Sequence, residues 1–153
     1  MERVSSPIGA LSADVAESLR GAARPAGAWL GAAWDANALH VHARSRTTDT
    51  SVVELPAIGR VVRKRWSWPR VGERLRGVGR TTALARCPAA RELAALGAAP
   101  DAGFHPRPVA WAEWRERGLL VRCMLVLQEI AGARDLASWL RDERSPRLRR
   151  QVL

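Results

Sequence analysis

Tyrosine is absent from this chain of 153 residues, phenylalanine and lysine occur once each, and cysteine occurs twice. Cys87 and Cys123 lie far apart and neither has a CxxC partner, which excludes a zinc ribbon or a disulfide framework and leaves both as buried apolar fillers. No stretch approaches the roughly 18 consecutive apolar residues of a membrane span. Met1–Pro7 lacks a basic segment followed by an apolar core, so no secretory leader is expected. These absences point to a cytoplasmic protein, with peripheral contact at the inner membrane left as an option. The length suits one domain with a real core and is too short for two.

What the chain has in excess is positive charge. It carries 25 Lys and Arg against 15 Asp and Glu, a net +10, with 47% hydrophobic residues. Such a balance permits binding to nucleic acid, an anionic membrane surface or a phosphorylated ligand. The joint excess of Arg, Ala, Gly and Pro also reads as drift toward GC-rich codons, which raises charge without any partner. Within that bias the one lysine, Lys64, stands out. Arginine is a planar fork, whereas lysine is a compact ammonium on a slim stem, suited to reaching a buried phosphate. Lys64 is therefore the first candidate for a working residue; chance survival on a solvated strand is the plain alternative.

The periodicity gives an order of elements. Leu11, Val15, Ala16 and Leu19 fall at helical spacing within 11–23, before the stop signals Gly21 and Pro25. After a segment carrying Trp29, Leu30 and Trp34, residues 39–43 alternate, with Leu39, Val41 and Ala43 on one face and His40 and His42 on the other. The polar stretch 44–51 leads to Val52–Leu55, which returns as a hairpin, and residues 60–66 form a third strand. Residues 67–82 read as a loop with at most one helical turn. Leu84, Cys87, Leu93 and Leu96 mark an amphipathic helix over 83–96 that stops at Gly97. Fourth and fifth strands follow at 109–113 and 119–127. Residues 135–141 are helical by pattern, and Ser145-Pro146 starts a last helix that Val152-Leu153 leaves without a stop signal.

Three strands, a helix and two strands match the N-terminal lobe of the protein-kinase-like fold, where a third-strand lysine holds ATP phosphates and pairs with a glutamate on the next helix. Lys64 shares its strand face with Val62 and Trp66, while Val61, Arg63 and Arg65 point the other way. Glu92 lies on the following helix; a solvated glutamate paired with a nearby arginine is its plain alternative.

From about Leu39 onward the chain resembles the lipopolysaccharide kinases that phosphorylate Kdo or core heptose. The residues that carry the resemblance are Ser45-Arg46-Thr47 with Val52, Val61 to Trp66, Ala90-Arg91-Glu92-Leu93, Pro106 to Ala110, and Leu127 to Leu136. The resemblance implies an α+β lobe with a five-stranded antiparallel sheet and one packed helix over 39–127. A helical extension over 1–38 precedes it, and a hinge-like link over 128–134 and the first helices of a truncated second lobe over 135–153 follow. It implies ATP and magnesium as ligands and a sugar or lipid-linked sugar as acceptor. Lys64 would bind the α and β phosphates and Glu92 would orient it. Val62 and Val52 would line the nucleotide, and the backbone of Gln128, Glu129 and Ile130 would meet the adenine edge. The first hairpin, 45–51, would cover the phosphates through serine and threonine hydroxyls and backbone N–H groups, with Ser45, Thr47 and Thr48 as the named residues, although this hairpin has no glycine, unlike the protein-kinase loop.

No segment resembles the catalytic loop with its base Asp and metal-binding Asn, or the later magnesium Asp. No catalytic or metal residue is therefore assigned. The expectation is an ATP-binding lobe that is inactive alone, its second lobe lost or carried on a separate chain. Two alternatives are a noncatalytic lobe used for partner binding and a basic nucleic-acid module, the latter disfavoured. His40 and His42 lack an acidic or cysteine partner and read as a surface or interface pair. Trp66 and Trp68 could stack on single-stranded nucleic acid, but packing against the helix is the favoured reading.

Overall fold

The computed structural model describes residues 6–21, 25–56, 58–76, 86–98 and 106–130. In chain order these form β1 (Ile8–Leu11), α1 (Ala13–Gly21), α2 (Ala26–Asp35), β2 (Ala38–Arg44), β3 (Thr48–Leu55), β4 (Gly59–Ser67), α3 (Val71–Arg76), α4 (Pro88–Ala98), β5 (Pro108–Glu116) and β6 (Leu119–Gln128). The expected helices over 135–141 and from Ser145 lie outside the described residues, as do positions 131–134 of the link.

The strands make one antiparallel sheet in the order β1-β5-β6-β4-β3-β2. It has six strands rather than the expected five. The extra strand is β1, which lies along β5 with Gly9 opposite Ala112 and Ala10 opposite Trp111. A glycine is required there, because a Cβ at position 9 would collide with the Trp111 carbonyl. The segment ahead of β2 thus contributes a strand as well as helices. The second helix, α2, has no periodic stop signal of its own and was not legible from spacing.

Alternation divides the core in two. On one face Val53, Leu55, Val61, Ala112, Trp114, Met124 and Val126 pack with Val15 and Leu19 of α1 and with Trp29, Leu30 and Ala33 of α2. On the other, Cys123, Leu125 and Leu127 of β6 pack with Trp68 and with Cys87 and Ala89 at the start of α4. Val62, Trp66, Leu93, Leu96 and Trp111 border that second cluster. Trp66 and Trp68 are committed to packing beneath α4. Cys87 and Cys123 are free thiols, both fully buried.

Helix α4 starts at Pro88, later than the spacing suggested, and runs through Gly97 rather than stopping there. Proline at the first helical position costs no hydrogen bond, and Cys87 caps the turn, its Sγ accepting from Ala90 N–H at 3.4 Å. Contact with Cys87 and burial together push the Cys123 thiol far above its ordinary pKa. β5 and β6 are joined through Arg117 and Gly118, both at positive φ (50° and 79°), as a type I′ hairpin turn demands.

Candidate functional site

Strand β4 runs through the middle of the sheet and presents Lys64 on the α4 face. Across the gap, Glu92 on α4 accepts a hydrogen bond from the Lys64 ammonium. Neither side chain is sealed: Lys64 is 32% and Glu92 28% exposed. They sit in a cleft of about 530 Å³ lined by His42, Thr50, Val62, Leu96, Pro106 and Leu127, and closed at one end by Gln128, Glu129 and Ile130. That volume lies within the roughly 300–1,000 Å³ of small-molecule sites, and the lining is of their kind, apolar walls with a few convergent polar groups.

The register sets the order of groups along the cleft. Val62 lies opposite Leu127 and Val61 opposite Gln128, whereas Lys64 lies opposite Leu125. The link therefore begins beside the apolar level of the cleft, and the ammonium stands two residues further, roughly 7 Å along the strand. At the link, Gln128 N–H already donates to the Arg107 carbonyl at 2.8 Å. Glu129 is held by Arg60 at 2.9 Å.

Of the residues singled out from the sequence, Lys64, Glu92, Val62, Gln128, Glu129 and Ile130 line this one cleft. Val52 is buried beside Val62, directly opposite it in the β3–β4 ladder. Ser45, Thr47 and Thr48 are elsewhere. They line a separate pocket of about 300 Å³ with Trp34, Arg44, Arg46, Asp49 and Arg65. Their hairpin also uses up its own donors: Ser45 Oγ accepts from the N–H groups of Thr47 and Thr48 (3.4 and 3.1 Å), and Ser45 N–H donates to the Thr48 carbonyl at 2.7 Å. Sequence reasoning included Thr50 only within the hairpin 45–51 and missed His42, Leu96, Pro106 and Leu127 as lining residues. The strand alternation of His42 was visible, but its neighbourhood depends on the register of β2 against β3.

The opposite face of β4 is closed. Arg63 is 1% exposed, and its guanidinium donates to the carbonyls of Ala33, Trp34 and Ala36 at 2.8–2.9 Å and to Ser51 Oγ at 3.2 Å. A cation at the C-terminus of α2 satisfies carbonyls that the helix leaves open and opposes its dipole. Burial lowers the Arg63 pKa to about 10, which still leaves it charged at neutral pH. Arg65 donates to the Trp34 carbonyl and to Asp49. Arg122 lies over the rings of both Trp34 and Trp114, 4.7 and 4.5 Å from their centroids.

The described residues do not fit a magnesium ion. The carboxylates among the described residues that line the cleft, Glu92 and Glu129, are each committed to a cation. Among the described residues no group of three or more His, Cys, Asp or Glu side chains is arranged to hold a metal. Nor is any helix among them long and apolar enough to cross a membrane.

Searches of curated proteins and of solved structures return no match. The family comparison does: residues 36–153, from just ahead of β2 onward, match the model of the Lipopolysaccharide kinase (Kdo/WaaP) family, and the chain belongs to that family.

Proposed function

We propose that the described residues form the ATP-binding lobe of a lipopolysaccharide-kinase-type phosphotransferase, the activity class that family membership suggests. The observation that carries this reading is the meeting of the chain's one lysine with Glu92 inside an apolar cleft that begins at the β6 link. In this reading the adenine enters between Val62 and Leu127, with the Glu129–Ile130 backbone at its edge, because Gln128 N–H is already engaged. The α and β phosphates reach Lys64. A lysine–glutamate pair between the third strand and its following helix is the arrangement by which kinases hold ATP phosphates.

The lobe binds and orients; it does not supply a base. Phosphoryl transfer depends mainly on positioning and on stabilising charge spread over the transferred group, and Lys64 contributes to both. The base and the ligands of any divalent cation lie outside the described residues, and the acceptor, a sugar hydroxyl in this reading, meets the nucleotide at the Lys64 end of the cleft.

A partly exposed ion pair stabilises a fold by no more than about 1 kcal/mol, so losing it tests binding rather than folding. In a thermal-shift titration with ATP, the protein is expected to gain stability with ligand concentration, and Lys64→Ala is expected to remove the gain while leaving the unliganded melting temperature within a few degrees. A folded wild-type protein that shows no ATP-dependent shift would sink the reading.

A further inference from the structure

We propose that His42 and Thr50, on the β2–β3 pair, are the side chains that hold the nucleotide's polyphosphate alongside Lys64. The inference rests on the ATP reading of the cleft; it adds His42, and it singles out Thr50 from the hairpin 45–51 in place of Ser45, Thr47 and Thr48.

The β3–β4 register supplies the first argument. Directly opposed residues of an antiparallel pair share a face, and Val52 lies opposite Val62 while Thr50 lies opposite Lys64. The β3 strand therefore repeats the order of β4, an apolar level beside the link and a polar level two residues on. The Thr50 hydroxyl stands at the level of the ammonium, where the phosphates would lie.

A β-bulge supplies the second. β2 pairs Val41 with Ser51 and then Ala43 with Thr50, so His42 is an extra residue in the ladder. Strict alternation would put His42 and Arg44 on the same face. The bulge separates them: His42 lines the cleft, while Arg44 reaches Asp49 at 3.0 Å beside the other pocket. Bulges are common next to binding sites because they re-aim one side chain without dismantling the strand. Here the side chain re-aimed is Arg44, turned away from the cleft to Asp49, while His42, in alternation with His40 opposite Val52, stays on the cleft face with no arginine beside it; its imidazole is a donor toward phosphate oxygens. The His40 ring lies edge-on to it at 4.8 Å, opposite Val52 at the level nearer the link.

The third argument is elimination of the hairpin. Ser45, Thr47 and Thr48 spend their backbone donors on one another and open into a different pocket. With no glycine in the loop, the phosphate contacts move from backbone amides at the hairpin tip to side chains on the strands behind it. The remaining polar groups in the cleft, Glu92, Gln128 and Glu129, do not compete for this role: Glu92 is occupied by Lys64, and the other two stand at the link end.

The test is calorimetric binding of ATP and of AMP to the full chain and to His42→Ala, Thr50→Val and Ser45→Ala. His42 is exposed and Thr50→Val keeps the β-branched shape, so both variants are expected to fold, checked by circular dichroism. ATP affinity is expected to fall about tenfold for His42→Ala and a few-fold for Thr50→Val, with AMP affinity unchanged and Ser45→Ala neutral. Equal losses for ATP and AMP, or ATP affinity unchanged in both strand variants, would overturn the proposal. If Lys64→Ala abolishes ATP binding while His42→Ala and Thr50→Val do not alter it, this inference fails and the ATP reading survives. If the wild-type chain binds neither nucleotide, both fail.

Discussion

Strand β4 sends basic side chains to both faces of the sheet, and the two faces treat them in opposite ways. Arg63, on the helical side, is surrounded: four acceptors meet its two terminal nitrogens, only Nε lacks a partner, and solvent is excluded. Lys64, its neighbour in sequence, meets one carboxylate and an open cleft. Burying a cation is tolerated only when its hydrogen-bonding capacity is filled by the fold. A cation with capacity left over, at the bottom of a cavity, can offer it to a ligand. Charge alone does not separate the two roles; the number of partners and the access of solvent do.

The largest expected effect belongs to the closed face. Arg63→Ala would leave the carbonyls of Ala33, Trp34 and Ala36 without their donor and open a void, for a loss of roughly 3 kcal/mol or more in urea unfolding. Arg63→Lys should recover only part of it, since one ammonium cannot span the same acceptors. If Arg63→Ala proved no more damaging than Lys64→Ala, the contrast between the faces would collapse. Lys64→Ala should invert the pattern, abolishing ATP stabilisation with a cost in intrinsic stability below about 1 kcal/mol.

Intermediate in size is Arg122, flanked by Trp34 and Trp114. Arg122→Leu keeps much of the apolar contact and removes the cation–π attraction, for a loss of about 1 kcal/mol, with ATP binding intact. The smallest effect is titration of Asp49. Burial alone would raise its pKa, yet hydrogen bonds and charge from Arg44, Arg65 and Ser51 hold it below the ordinary carboxylate value. A depressed folded-state pKa contributes stability that is complete above the unfolded value, near pH 4, and is lost as pH falls through the folded one. Asp49→Asn should therefore flatten the acid limb of a stability-against-pH curve below about pH 4; an unchanged limb would show that Asp49 does not contribute to it.

Much of the open face was legible in the sequence because period-two alternation needs no partner to be seen. The placement of Lys64 with Val62 and Trp66, opposite Val61 and Arg63, is a property of β4 itself. What escaped depends on contacts between distant segments. The four residues of β1 are too short to show alternation, and what makes them a strand is the exposed edge of β5 against which Gly9 fits. Helix α2 contains Gly27 and Gly31 and is finished by Arg63, about 30 positions away. The composition of the hairpin was read correctly, but its hydrogen bonds, closed upon Ser45 Oγ, could not be. His42 was seen as half of a surface pair because alternation gives its face but not what stands across from it, which is set only by the pairing with β3.

The ladders on the two sides of β4 run without irregularity from Thr48 opposite Trp66 to Leu55 opposite Gly59, and from Val61 opposite Gln128 to Ser67 opposite Arg122. The pairs β2–β3 and β5–β6, by contrast, each contain register shifts. Gains and losses of single residues can be absorbed in those pairs by moving or removing a bulge. A one-residue deletion inside β4 would instead turn an arginine into the cleft and a lysine among the helix carbonyls in a single event. A single-residue change of length is thus expected to be tolerated where a bulge can take it up and not in β4, where one strand keeps two incompatible cations apart by parity alone.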